Sequence, residues 1–158
     1  MVKSEINISF KRNMDLPIDK KWLERMARKV LEREGISSPV ELGLLITDSR
    51  TAKKLNRIYR GKDEPTDVLS FHMTPDGNRD LGEPFVSPPD GIRHLGEVVI
   101  SYPQAARQAQ EHGHGVKQEL ALLVIHGILH LLGYDHELSD EEKKMRDKEN
   151  EILSAELG

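Results

Sequence analysis

The sequence of 158 residues contains no cysteine. Disulfide bonds and thiolate zinc sites are therefore excluded, and any metal must be held by histidines or carboxylates. Long apolar runs are missing as well, because the longest, Leu120–Leu132, is interrupted by two histidines and is too short to cross a bilayer. No apolar leader segment follows Met1–Glu5, so we expect a cytoplasmic protein with no membrane partner.

The sequence also lacks an excess of positive charge. It has 23 lysines and arginines against 27 aspartates and glutamates, which gives a net charge of -4. Overall charge therefore does not indicate a nucleic-acid-binding protein, and any such surface must be a local patch. Charged residues make up 32% and hydrophobic residues 37% of the chain. This composition and length predict one well-solvated globular domain over residues 1–158.

The stretch His126–His136 carries the most chemical information. Three histidines stand at i, i+4 and i+10, with Gly133 at i+7. Residues four apart share one face of a helix, so His126 and His130 can point at the same ion. Glycine readily takes the left-handed conformation that ends helices, which would let the chain return and bring in His136. We predict one zinc ion per chain, held by His126, His130 and His136.

This spacing matches the metal-binding part of the metzincin protease motif H-E-x-x-H-x-x-G-x-x-H. The glutamate that serves as the general base in those proteases is replaced here by Gly127. A metalloprotease-like hydrolase is thus one alternative on spacing alone, and Gly127 argues against it. Three histidines leave an open coordination position, which favours a hydrolytic zinc over a structural one. A binding or assembly factor with a structural zinc is the other alternative.

Hydrophobic periodicity predicts an α+β fold of α/β-like character. We expect a small mixed sheet of about four strands, three parallel and one antiparallel, packed with about five helices. The first three strands alternate with helices and should be parallel, whereas the fourth follows the third directly and should be antiparallel at a sheet edge. The helix with the histidines is apolar nearly all round, which predicts a central position. Residues 73–93, rich in proline, are expected to form a mobile surface loop.

A locally basic stretch runs from Arg50 to Lys62, with six basic residues and no acidic one. Arg60 falls at the predicted end of a helix, beside Gly61, where α/β sheets often gather ligands. A guanidinium can bind a phosphate through two parallel hydrogen bonds, so we predict that Arg60 contacts the substrate. Arg57 and Lys62 are predicted to bind further phosphates of a polyanionic substrate beside it. A merely solvated helix face is the alternative for Lys53, Lys54 and Arg57.

Together these stretches resemble the YbeY family of bacterial endoribonucleases, the ribosomal-RNA maturation factors. The resemblance rests on Leu55-Asn56 with Tyr59–Asp63, on Pro65–Phe71, on Leu95–Ser101 and on His126–His136. It implies a zinc-dependent endoribonuclease that prefers single strands and acts in small-subunit ribosomal-RNA maturation and ribosome quality control. RNA and a ribosomal particle or its proteins are the implied partners, and DNA is not expected.

By position, the resemblance makes His126, His130 and His136 the metal ligands, with His126 and Arg60 as the catalytic residues. His72 departs from the pattern, since a proline is common there. The structural-zinc alternative then becomes a ribosome-associated assembly factor.

The other histidines have weaker support as site residues. His114 is assigned to a surface or capping position, and His72, His94 and His112 to structural or solvated positions. Glu119 lies seven residues before His126 and thus on the same helix face. It could orient a metal ligand, although we favour an acidic residue in the first turn of a helix, where it complements the helix dipole.

Overall fold

The computed structural model describes residues 4–12, 14, 16, 18–36, 39–61, 68–72, 92–133 and 139–157. Within them lie four strands and five helices, which confirms the predicted α+β fold. The strands and helices, in chain order, are β1 Glu5–Phe10, α1 Lys20–Arg33, β2 Val40–Thr47, α2 Ser49–Arg60, β3 Val68–His72, β4 Arg93–Ser101, α3 Tyr102–His112, α4 Val116–Leu131 and α5 Ser139–Leu157.

The sheet has the strand order β1-β2-β4-β3. β1, β2 and β4 are parallel, and β3 pairs antiparallel with β4. The predicted composition of three parallel strands and one antiparallel strand is confirmed. The assignment of strands was wrong, because β3 is the antiparallel edge strand and β4 lies inside the sheet. Val98, Val99 and Ile100 are all buried, so both faces of β4 are covered, as expected for an interior strand.

Local signals fix the start of α2 and the ends of α2 and α3. The Asp48 side chain accepts a hydrogen bond from the backbone N–H of Thr51 at 2.7 Å and caps α2. Gly61 ends α2 with φ +71°, and Gly113 ends α3 with φ +72°. These left-handed positions favour glycine because other residues would clash there. Short-range chemistry therefore sets where α2 and α3 stop.

α4 is the central helix of the fold. It packs against α1, α3, α5, β3 and β4. Ten of its 16 residues are buried, so nearly its whole circumference is covered, as its apolar sequence predicts. Side chains on α4 are thus held by neighbours on several sides, which makes the helix a rigid platform for a site.

Two further expectations concern loops and membranes. Of the predicted mobile loop, residues 73–93, the part from 73 to 91 lies outside the described residues. The last residue of the predicted loop, Arg93, is instead the first residue of β4. Among the helices that the structure describes, none combines the length and apolar character needed to cross a membrane.

Candidate metal centre

His126 and His130 lie together on α4, one turn apart. Their ring centroids are 4.8 Å apart and the rings meet edge to face, at 72°. Gly133 follows the helix with φ +108°, and its N–H donates to the carbonyl of His130 at 3.0 Å. The chain therefore turns where the glycine was expected to turn it. His136, the predicted third ligand, lies outside the described residues.

A carboxylate from another helix contacts His126. Oε1 of Glu149, on α5, lies 2.5 Å from Nδ1 of His126, and the Glu149 side chain is 14% exposed. Histidines that bind metals usually have such a partner on the second ring nitrogen, which fixes the orientation of the ring. A metal would accordingly be bound by Nε2 of His126. We call His126, His130 and Glu149 the His126 cluster.

Sequence reasoning missed Glu149 because it is 23 residues from His126 and belongs to a different helix. One signal was available. Glu149 stands three residues before Ile152, which is fully buried, so both lie on the inward face of α5. A glutamate on an inward face needs a partner, and the nearest helix carries the histidines.

The His126 cluster opens on a cavity of about 350 Å³. His126 and Glu149 form part of its wall, together with Val68 at the start of β3. The same cavity is lined farther along by residues of α3 and α4, namely Gln108, Glu111, His112, Glu119, Leu122 and Leu123. A ligand bound to the cluster would therefore have space beside it.

Gly127 is required by packing against the sheet. A Cβ atom at this position would lie 2.5 Å from Cγ1 of Val98 on β4, closer than side-chain atoms approach. The Gly127 carbonyl also accepts a hydrogen bond from Ser70 Oγ on β3 at 3.1 Å. A glutamate at this position, as in the metzincin motif, could not be placed without moving β4. The steric barrier adds to the argument against protease chemistry.

A second group of possible metal ligands lies at the turn between α3 and α4. His112, His114 and Glu119 can each supply one ligand atom so that all three atoms lie within 4.8 Å of one another. Glu119 is in the first turn of α4, as we favoured, but its side chain is only 1% exposed and contacts His112, so it does not orient His126. We call these three residues the His112 cluster. The chain therefore contains a group able to hold a metal ion.

The basic stretch lies mostly along α2. Arg50, Lys53, Lys54 and Arg57 are exposed, and none of these four forms an ion pair with another described residue. Arg60 is the last residue of α2, next to Gly61 as expected. The Arg60 side chain and the whole of Lys62 lie outside the described part of the chain.

Comparisons with known proteins identify relatives that match most of the chain. The profile of the family described as "Endoribonuclease YbeY" matches residues 6–156. A protein named Endoribonuclease YbeY from Roseiflexus sp. (strain RS-1) is 48% identical over 87% of this chain and 84% of its own. One of the same name from Aquifex aeolicus is 43% identical over 87% and 83%. A solution structure from Thermotoga maritima superposes with a TM-score of 0.59 at 30% identity, covering 94% of this chain and 86% of the other.

Proposed function

The chain belongs to the YbeY family of endoribonucleases, and from this premise we propose that it cuts single-stranded RNA with a zinc ion held by His126, His130 and His136. The observation that carries the proposal is the His126 cluster itself. The imidazoles of His126 and His130 lie together on one face of α4. Glu149 contacts Nδ1 of His126, which leaves Nε2 for a metal. This donor set suits zinc, which prefers imidazole ligands in tetrahedral sites.

A zinc ion bound there would supply a positive charge that polarises a phosphoryl oxygen and acidifies water. The protein's own contribution is geometric. Glu149 fixes the ring of His126, the packed helix α4 fixes the backbone of both histidines, and Gly127 lets that helix lie against Val98 and Ser70. The adjoining cavity of about 350 Å³ gives the RNA backbone room beside the cluster.

Arg60 is the proposed contact to the scissile phosphate. It terminates the basic helix α2, and a guanidinium at that position can stabilise negative charge that develops on the phosphate oxygens. Arg57 and Lys62 would bind neighbouring phosphates. The exposed cations of α2 support this role, since the chain as a whole is net negative and must attract RNA locally.

The proposed physiological substrate is ribosomal RNA on a ribosomal particle, in the cytoplasm. A local basic patch on a net negative protein gives only weak attraction to free RNA. Binding to free single-stranded RNA should therefore weaken as salt rises, with a slope of about −0.7 per phosphate contacted on a double-logarithmic plot. Additional contacts with the particle would compensate for this weak attraction.

The experiment compares RNA cleavage by zinc-loaded protein, by chelator-treated protein and by His126→Ala. His94→Ala is the matched control, because His94 also contacts a glutamate, Glu41, at 2.9 Å but lies on β4. We expect cleavage to be lost on chelation, restored by zinc, lost in His126→Ala and retained in His94→Ala. An unfolded protein substrate should stay intact in every sample.

Two outcomes would contradict this proposal. Equal cleavage of RNA by the wild type and His126→Ala would assign the activity to a contaminant. Loss of the fold on chelation, measured by circular dichroism, would favour the assembly factor with a structural zinc, because removing a catalytic zinc should affect turnover far more than folding.

A further inference from the structure

The His112 cluster is built by the sharp turn that joins α3 to α4. His112 is the last residue of α3, Gly113 has φ +72°, and α4 begins at Val116. The N–H of His114 donates to the carbonyl of Ala109 at 3.0 Å, so the backbone of the turn is fixed by hydrogen bonds. The turn thereby places two imidazoles against the first turn of α4, where Glu119 is buried.

Two of the three distances between ligand atoms in this cluster are close to those around a tetrahedral metal ion. Oε1 of Glu119 lies 2.8 Å from Nδ1 of His112 and 3.6 Å from Nε2 of His114. Zinc bonds to nitrogen and oxygen of about 2.0–2.1 Å place neighbouring ligand atoms about 3.3 Å apart. The two observed separations bracket that value. All three donor atoms lie within 4.8 Å of one another, so movements of the side chains would bring them to a common ion.

Hydrogen bonding alone leaves part of this cluster unexplained. Oε1 of Glu119 has a hydrogen-bond partner in His112, but Nε2 of His114 is buried and has no hydrogen-bond partner among the described residues. Buried polar atoms are normally paired, so an orphaned imidazole nitrogen facing a buried carboxylate calls for a ligand. The His94–Glu41 pair does not belong to any group of three possible metal ligands in the described part of the chain, which distinguishes the His112 cluster from it.

We propose that His112, His114 and Glu119 form a second metal site, which takes a zinc-class divalent ion. Two imidazoles and one carboxylate suit zinc and its neighbours, whereas calcium and magnesium prefer all-oxygen ligands. His112 is 53% exposed, so the ion can enter from solvent, and three protein ligands leave a coordination position open. Neither point depends on the role proposed for the His126 cluster.

The second site lies at another part of the same cavity. His112 and Glu119 line that cavity along with His126 and Glu149. Glu119 and His126 are seven residues apart on α4, which corresponds to about 10 Å along the helix. Paired metals that share one phosphate in nucleases stand about 3.5–4 Å apart, so these two ions would act separately. The second ion would bind a group of the ligand away from the His126 cluster.

The test measures the number of zinc ions bound per protein chain. Protein freed of metal is titrated with zinc by calorimetry, and bound zinc is measured after dialysis by elemental analysis. We expect two zinc ions per chain in the wild type, one in His114→Ala, one in His126→Ala, none in the double variant and two in the matched control His94→Ala. Thermal melting of the metal-free samples checks that each variant folds.

Two further variants keep the test decisive. Glu119→Gln preserves size but removes the charge, and it should abolish the second binding event. His112→Ala alters a largely exposed side chain and so should fold normally. Zinc affinity at this site should fall at least about tenfold, because even residues that only contact a metal ligand usually cost that much when they are replaced. Two zinc ions of unchanged affinity in His114→Ala, Glu119→Gln and His112→Ala would overturn the proposal. Wild-type protein that binds a single zinc, lost only in His126→Ala, would overturn it too while leaving the proposed function intact.

Discussion

The two histidine clusters, each of which includes residues of α4, differ in the sequence separation of their members. The His112 cluster is assembled within eight residues around one turn, and its carboxylate belongs to α4. The His126 cluster takes Glu149 from α5, 23 residues after His126. The first cluster is thus preorganised by local structure, whereas in the second the orientation of the His126 ring depends on the docking of α5. A metal at the His112 cluster would therefore stabilise the turn between α3 and α4, and the affinity of a metal at His126 would depend on the packing of α5.

The clusters also differ in exposure. In the His126 cluster both contacting side chains are largely covered, with His126 28% and Glu149 14% exposed. In the His112 cluster the glutamate is completely buried and one histidine is mostly exposed. A covered cluster beside a cavity suits chemistry that needs partial exclusion of water, because electrostatic interactions are stronger there. Substitutions that affect only one of these features should therefore change the two clusters differently.

Arg60→Ala should separate catalysis from metal binding at both clusters. Loss of a guanidinium contact to the phosphate should cost about 2–4 kcal/mol of transition-state stabilisation, or roughly 30- to 1000-fold in kcat/KM. Zinc content should not change, and Arg60→Lys should recover only part of the rate. Arg25→Ala, which removes an exposed arginine on α1 and thus outside the basic stretch, is the control and should change the rate little. The rate of RNA cleavage under single-turnover conditions and the zinc content of each variant are the measurements. Full activity of Arg60→Ala would show that Arg60 has no part in the mechanism.

Glu149→Gln should act on one cluster and spare the other. Glutamine keeps the size of the side chain but holds the His126 ring less firmly, so zinc affinity at the His126 cluster should fall about 10- to 100-fold. The His112 cluster should bind as before, since it takes nothing from α5. Glu151→Gln, on the same helix, is the control. Calorimetric titration measures both events, and equal weakening at the two clusters would show that Glu149 acts through general stability.

The contrast between the clusters also explains what the sequence could predict. The i, i+4 spacing located His126 and His130 because a helix converts it directly into proximity. The caps at Asp48 and Gly61 were predictable for the same reason, since their chemistry involves neighbours within a few residues. Glu149 could not be found by such rules, because its partner is set by how α5 packs on α4.

The directions predicted for β3 and β4 were the main error, and its cause is similar. The alternation of strands and helices suggested that β3 would be the third parallel strand. The third parallel strand is β4, and β3 pairs antiparallel with β4 at the edge of the sheet. Pairing is decided by burial over the whole sheet, which local periodicity does not report. The His112 cluster was missed on a smaller scale. Gly113 and Gly115 flank His114 and signalled a tight turn, but the contact needs both helices in place.

Gly127→Ala should test whether the platform shared by both clusters depends on close packing. The added Cβ would lie 2.5 Å from Val98 Cγ1, so unfolding should require about 1–3 kcal/mol less. Val98→Ala removes the opposing methyl groups and should rescue part of this loss in the double variant. Gly115→Ala, where nothing lies within 4 Å of the new Cβ, is the control. Urea denaturation gives the values, and an additive double variant would contradict the contact.

The smallest effect belongs to Asp48→Asn, outside both clusters, which separates fold stability from metal binding. Asparagine caps a helix as well as aspartate does, so the substitution removes only the charge opposite Lys11. The hydrogen bond from Lys11, followed by that from the Thr51 N–H, lowers the pKa of Asp48 from 3.8 to about 2. Because the folded pKa lies below the unfolded one, this stabilisation is complete above pH 3.8 and disappears as the pH falls through about 2.

Both side chains are over a third exposed, so the variant should be only about 0.2–1 kcal/mol less stable at pH 7. Urea titrations from pH 7 to pH 2 should show the two proteins converging as Asp48 is protonated, with unchanged zinc binding at neutral pH. A constant difference across that range would mean that the cap, and not the ion pair, had been disturbed.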